Sequence, residues 1–357
     1  MACRRRDALR SIAGACVAAV SMNSAAAAAA RTTIDVHAHL AVPSYLDLLA
    51  TAGLRPGGYA GAGAGAARSP TSGGAGGDDA AAIAARLKLM DDAGVGRQIL
   101  SPSLAPYLPD QAVAGQAARI LNERHARLMA DVPGRFGAFA CLPLPHIDAS
   151  LAELRHGLDT LGLTGISMQA SCLGTSIADE RFAPLFAEMN RRRAVLFVHP
   201  AVNGLHSPLI ADWRLDTSIG PLLEDVAIAT QLIAANIPAR YPDLKIVVPH
   251  LGGGLATMLD RLDNQLPLAV PGLAGRPSDM ARRLWYDSVS HGSLAALDAA
   301  VAAFGADRIV PGSDYPVLLA FEPYARTIGY VHGASAAGAP TKILHDNAGK
   351  LFAGTHF

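Results

Sequence analysis

Two histidines one residue apart, His37 and His39 in Ile34-Asp35-Val36-His37-Ala38-His39, end a short apolar run near the start of the chain. Along a β-strand residues i and i+2 share a face, so both imidazoles are offered to one point while Val36 and Ala38 face away. Two imidazoles at one point are half of a transition-metal site. Taken alone the pair reads equally well as polar strand-end residues, since imidazole is common at surfaces. The ends of the other apolar runs decide between these readings. His199 closes Val195-Leu196-Phe197-Val198-His199, His250 closes Ile246-Val247-Val248-Pro249-His250, and Asp314 follows Val310-Pro311-Gly312-Ser313. Buried strands normally finish in apolar or small residues, and each unpaired buried polar group costs on the order of 1–3 kcal/mol. A shared metal ion satisfies these groups together.

The elements that must position them are eight strand-like runs, at 32–37, 97–101, 135–142, 164–169, 194–199, 244–250, 284–288 and 308–312. Helical patterns lie between them: Leu87, Met90 and Ala93 share one face, as do Leu151, Leu154, Leu158 and Leu161, and then Phe182, Leu185, Phe186 and Met189. Gly94, Gly162 and Gly305 follow helices where a left-handed cap suits glycine. Eight strands alternating with helices predict an α/β fold of the (β/α)₈ TIM-barrel type, with the site at the carboxyl ends of the strands. A doubly wound open sheet would want a glycine-rich phosphate turn after an early strand, and His37-Ala38-His39-Leu40-Ala41-Val42-Pro43 stands there instead. A Gly/Ala/Ser insertion at 57–77 reads as a flexible excursion, either a lid or a tolerated loop.

Composition narrows the partners. Lys+Arg and Asp+Glu balance at 30 each over 357 residues, which gives no electrostatic reason to expect nucleic acid or an anionic membrane. A small neutral or anionic molecule is the expected ligand. Residues 1–30 carry Arg4-Arg5-Arg6, a mildly apolar stretch and an alanine run, the layout of a cleaved export signal with a twin-arginine-like start. The fold is therefore expected over 31–357, in the periplasm or secreted, with no stable membrane insertion once the signal is removed. Cys141 and Cys172 are expected as buried free thiols in preference to a disulfide, and no Cys-x-x-Cys suggests a zinc ribbon or thioredoxin chemistry.

These stretches resemble the amidohydrolase superfamily, in the branch containing aminocarboxymuconate-semialdehyde decarboxylase, resorcylate-type decarboxylases and related hydratases and hydrolases. The resemblance is carried by Ile34 to His39, by Phe197-Val198-His199-Pro200, and by Tyr241-Pro242-Asp243-Leu244-Lys245-Ile246-Val247-Val248-Pro249-His250 with Gly252-Gly253-Gly254 behind it. It continues in Asp307-Arg308-Ile309-Val310-Pro311-Gly312-Ser313-Asp314-Tyr315-Pro316 and in Asn347-Ala348-Gly349-Lys350-Leu351-Phe352.

The resemblance implies that His37, His39, His199 and Asp314 ligate one divalent ion, Zn²⁺ first and Mn²⁺ second. Many superfamily members bridge two ions with a carbamylated lysine on the fourth strand, and here no lysine lies between Lys88 and Lys245. It implies His250 as the proton-moving group beside the metal, or else a ligand or orienting residue, and Asp314 as ligand and proton shuttle together. Arg261 matches an arginine that grips the substrate carboxylate in decarboxylases of this branch, in some cases across a homodimer interface, although pairing with Asp260 or Asp263 explains it nearly as well. Trp213 stands where the branch places an aromatic beside the pocket, and it is equally a packing residue. Asp35 is expected to support backbone geometry. The loop after the first strand offers only Arg55 and Arg68, and neither takes the role of the branch's second carboxylate-binding arginine. The implied activity is a mononuclear metal-dependent decarboxylase of a small aromatic or unsaturated acid. The alternatives are a metal-dependent hydrolase of an amide, lactone or ester, and a non-catalytic periplasmic ligand-binding protein on the same barrel.

Overall fold

In the computed structural model the eight apolar runs form eight parallel strands in chain order. They are β1 (Thr33–His39), β2 (Val95–Ser101), β3 (Phe136–Cys141), β4 (Gly165–Gln169), β5 (Val195–His199), β6 (Lys245–Val248), β7 (Trp285–Asp287) and β8 (Ile309–Val310), each hydrogen bonded to the next. The described residues are 32–54, 76–202 and 204–355. The chain divides into units of 1–32 and 33–357, and the second carries this fold. The export signal at 1–30 lies outside the described residues, as does the 57–77 insertion apart from Gly76 and Gly77, which are buried. Among the described residues no helix is long and apolar enough to cross a membrane.

The first and last strands close on each other through a short seam. Val36 N donates to the Pro311 carbonyl at 2.8 Å, Asp314 N to His37 at 2.9 Å and His39 N to Tyr315 at 2.6 Å. The seam and the sequential strand order give the (β/α)₈ barrel and exclude the doubly wound alternative. Inside it Val36, Ile99, Phe139, Val195, Phe197, Val247, Trp285 and Val310 form one buried cluster. Phe352, from the short helix Asn347–Leu351 and the residue after it, joins that cluster. Lys245 at the start of β6 donates to the carbonyls of Leu351 and Ala353 at 2.7 and 3.0 Å, so the C-terminal motif serves as a plug on the interior.

Outside the strands run α1 (Pro43–Thr51), α2 (Ala80–Asp92), α3 (Gln111–Asp131), α4 (Ile147–Arg155), α5 (Ala183–Arg191), α6 (Gly220–Ala234), α7 (Leu259–Ala269) and α8 (Leu294–Phe304). Asp79 caps α2 by accepting from Ala81 N and Ala82 N, and Asp110 caps α3 in the same way. Phe182, Leu185, Phe186 and Met189 are all fully buried, as their spacing predicts. Cys141 and Cys172 are buried free thiols.

One expectation about β1 is corrected. Val36 does not face away from the site: it packs in the interior cluster, while Ala38 packs in the outer one. From Asp35 to Ala38 the strand spends one more residue than β2 spends from Gln98 to Leu100, a β-bulge that resets the alternation. The bulge lets Ile34 and Val36 fill the barrel while His37 and His39 both turn to its mouth.

Candidate metal centre

His37 and His39 from β1, His199 from the end of β5 and Asp314 from the loop after β8 are all buried, and one ligand atom from each lies within 4.8 Å of the others. His37 Nε2 and His39 Nε2 are 3.2 Å apart, and Asp314 Oδ1 lies 3.4 Å from the first and 3.0 Å from the second. The opposite nitrogen of every ring is held by the chain. His37 Nδ1 donates to Asp287 Oδ2 at 2.7 Å, His39 Nδ1 to Ser101 Oγ at 3.1 Å and His199 Nδ1 to the Pro200 carbonyl at 2.8 Å. With Nδ1 carrying the proton, each Nε2 presents a lone pair. Lone pairs at 3.2 Å beside a carboxylate oxygen repel unless positive charge sits among them, so the donor set fits a single divalent cation.

The electrostatics agree. Burial opposes a charged imidazole at all three histidines. It prevails at His39 and His199, leaving both below the ordinary histidine range. At His37 the Asp287 and Asp314 carboxylates outweigh burial and raise proton affinity, which marks where positive charge is favoured. Burial also opposes the Asp314 carboxylate, but His37 and His39 overcome it and hold Asp314 below the usual range. The fourth strand, Gly165–Gln169, has no lysine to bridge a second ion.

His250 stands beside this group. Its Nδ1 donates to the buried Asp225 Oδ2 at 2.8 Å, and its Nε2 is 4.0 Å from Asp314 Oδ2. Burial works against its charged form, yet Asp225 outweighs that and lifts His250 to about 9. Both His250 (φ 52°) and Asp314 (φ 52°) hold left-handed backbone that non-glycine residues rarely adopt, a strain typical of functional sites. Two glycines permit the arrangement. A Cβ on Gly253 (φ 71°) would lie 2.1 Å from the Leu222 carbonyl of α6, the helix that carries Asp225. A Cβ on Gly312 would meet Asp287 Cβ at 2.9 Å and His37 Cβ at 3.1 Å.

The structure thus brings together His37, His39, His199, His250 and Asp314, while the two weaker candidates are exposed. Arg261 is exposed on α7, where no hydrogen bond or ion pair holds it among the described residues. Asp263, one expected partner, is taken by Arg276 at 2.6 Å and Ser278 at 2.7 Å. Trp213 is 73% exposed, so it does not pack in the core of the chain. Arg55 and Arg68 lie outside the described residues. Asp35 accepts from His37 N, Ser313, Gln98 and Tyr324, which fulfils its expected part in backbone geometry. Sequence reasoning did not single out Asp225 and Asp287. Asp287 ends β7 as the histidines end β1, β5 and the β6 run, and that strand-end position was its available signal. Asp225 lies mid-helix and offers none.

The family model described as Amidohydrolase matches residues 34–354. The γ-resorcylate decarboxylase of Rhodococcus jostii is 29% identical over 292 residues, covering 75% of this chain and 86% of that one. The decarboxylase yanB of Aspergillus niger is 29% identical over 341 residues, covering 89% and 87%. Among solved structures, 2,6-dihydroxybenzoate decarboxylase in complex with 2,6-dihydroxybenzoate superposes with a TM-score of 0.76 at 26% identity, covering 90% of this chain and 99% of that one. A dihydroxybenzoic acid decarboxylase of Polaromonas with bound manganese and 2-nitroresorcinol shares the fold, with a TM-score of 0.74 at 23% identity and coverage of 90% and 97%. A match over nearly the whole barrel, with the cation-fitting group at its mouth, establishes that this chain belongs to the amidohydrolase family.

Proposed function

We propose that the chain is a mononuclear metal-dependent carboxy-lyase acting on a small aromatic or unsaturated carboxylic acid. The observation that carries this reading is the convergence of the His37, His39, His199 and Asp314 ligand atoms within 4.8 Å, beside a histidine anchored to a buried carboxylate. The relatives named above, decarboxylases of hydroxybenzoates among them, support decarboxylation over other metal chemistry. The four residues would hold one ion, Zn²⁺ by the preference of three imidazoles and a carboxylate, or Mn²⁺, which the Polaromonas neighbour binds. When bound, the ion supplies a Lewis-acid anchor for the carboxylate and an adjacent oxygen of the substrate.

The chain's own residues supply the proton. Loss of CO₂ breaks a carbon–carbon bond, leaves the electron pair on the substrate carbon and requires a proton there. His250, oriented by Asp225 and raised to about 9, is a donor at neutral pH, and Asp314 is within 4.0 Å to relay. Hydrolysis would instead need His250 as a base, and the relatives, which are decarboxylases, favour the donor role. A pure ligand-binding protein would have no use for the Asp225–His250 pair.

The test is CO₂ release from the purified chain over a panel of hydroxybenzoates and enoic acids, with metal counted per chain. One ion per chain is expected, with turnover lost about 10²–10⁴-fold in His250→Ala, the usual span of a lost proton-transfer group. Turnover of lactones or amides without CO₂ release would establish the hydrolase, and metal binding without turnover the binding protein.

We propose a homodimer, supported by the exposed apolar side chains of Leu209, Trp213, Leu222 and Met258 on and beside α6 and α7. Sedimentation of Trp213→Glu is expected to show monomer where the unaltered chain shows dimer. Export to the periplasm or medium rests on the 1–30 signal, and an N-terminus beginning near residue 31 on the secreted protein is its expected signature.

A further inference from the structure

Arg86 lies on the buried face of α2 with Ala82, Ile83 and Met90, and it is fully enclosed. A buried guanidinium is costly, so what it holds matters. Its Nη2 donates to the His39 carbonyl, its Nη1 reaches Gln98 Oε1 at 3.5 Å, and its Cζ lies 4.2 Å from the centre of the Tyr315 ring. Gln98 in turn donates to Asp35 Oδ2 at 3.0 Å. That carboxylate gathers Ser313 Oγ at 2.6 Å, Ser313 N at 3.0 Å, Tyr324 Oη at 2.9 Å and His37 N at 3.2 Å.

The cluster touches the backbone of His37 and His39 on one side of the seam and the neighbours of Asp314, Ser313 and Tyr315, on the other. It therefore spans three of the four ligand residues, and only His199, across the barrel on β5, is outside it. The ladder here is short, the bridge between Ala38 and Tyr315 and the backbone bonds of the seam. Building on the metal-centre reading, we propose that Arg86 is a positioning residue which, through the His39 carbonyl and the Gln98–Asp35 relay, holds the β1 and β8 ligands in register and thereby sets the affinity for the ion.

The experiment measures Mn²⁺ affinity of the folded chain by chelator competition for the unaltered protein, Arg86→Met, Arg86→Lys and Ser313→Ala. The unfolding midpoint of each metal-free chain is recorded alongside. Arg86→Met is expected to weaken binding about 10–100-fold, the usual effect of losing a partner that orients ligands. Arg86→Lys, which keeps the charge but not the guanidinium fork, should recover part of that loss, and Ser313→Ala should weaken binding roughly tenfold by the same logic. A merely structural Arg86 would lower the midpoint and leave the dissociation constant of the folded chain unchanged. That outcome overturns the inference, in Arg86→Lys and Ser313→Ala if Arg86→Met does not fold. Failure of the unaltered chain to bind a divalent ion overturns the metal-centre reading, and the inference falls with it.

Discussion

At the scale of single residues the site is a set of imidazoles each fixed by a different partner. His199 leans on a neutral carbonyl and, buried beside His39 and His37, stays well below the ordinary histidine range. His250 leans on a buried carboxylate that outweighs burial and favours its protonated form. Asp225→Asn keeps the shape and removes the charge, so His250 should lose its preference for the protonated form. Turnover at neutral pH is expected to fall about 10–100-fold with KM little changed, since proton transfer contributes about 10²–10⁴-fold and His250 remains in place. Steady-state kinetics check this, and a rise in KM alone would mean that Asp225 shapes binding instead. The four clustered residues were legible in the sequence because polar residues at the ends of apolar strands stand out. Asp225 was not, because a lone aspartate within a helix reads as solvated surface until the fold brings it to His250.

At the scale of elements, the strands were readable because strands buried on both faces appear as unbroken apolar runs, and all eight fell within a few residues of their expected bounds. Two features escaped that reading. The bulge in β1 has no composition signature, so Val36 was assigned to the wrong face. On α2 the apolar spacing favoured Leu87, Met90 and Ala93, whereas the buried face includes Arg86, which a charge-based reading turns outward. A third case, on α3, carries a prediction. His125 lies on the stripe of Ala114, Ala118, Leu121 and Leu128, and burial holds it down to about 3. It stays neutral in the folded chain while the unfolded chain gains a proton below 6.5. Unfolding is then favoured by acid, and stability from this group falls as pH drops from 6.5 toward 3, by about 1.4 kcal/mol per pH unit. Denaturant unfolding of His125→Leu beside the unaltered chain should show a shallower acid loss by about that slope, and equal slopes would refute the assignment.

At the scale of the whole molecule, the barrel is closed where its site is built. β1 meets β8 through few backbone bonds, and the proposed ligands His37, His39 and Asp314 straddle that same seam while His199 reaches it from β5. An ion bound by all four would therefore tie the first strand to the last, and its binding energy would become closure energy. At an ion concentration a hundredfold above the dissociation constant, the gain in stability is about 2.7 kcal/mol. A chelator should then lower the unfolding midpoint, and it should do so unevenly. Amide hydrogen exchange is expected to quicken most at 33–39 and 309–316, and least at β3 and β4, whose ladder owes nothing to the ligands. Uniform acceleration would show that the ion stabilises the barrel only globally. No change at all would separate the cation-fitting cluster from the closure of the fold. The expected pattern follows from topology: a sheet wound in chain order closes by joining its first strand to its last, and here the join coincides with the group of side chains that calls for positive charge.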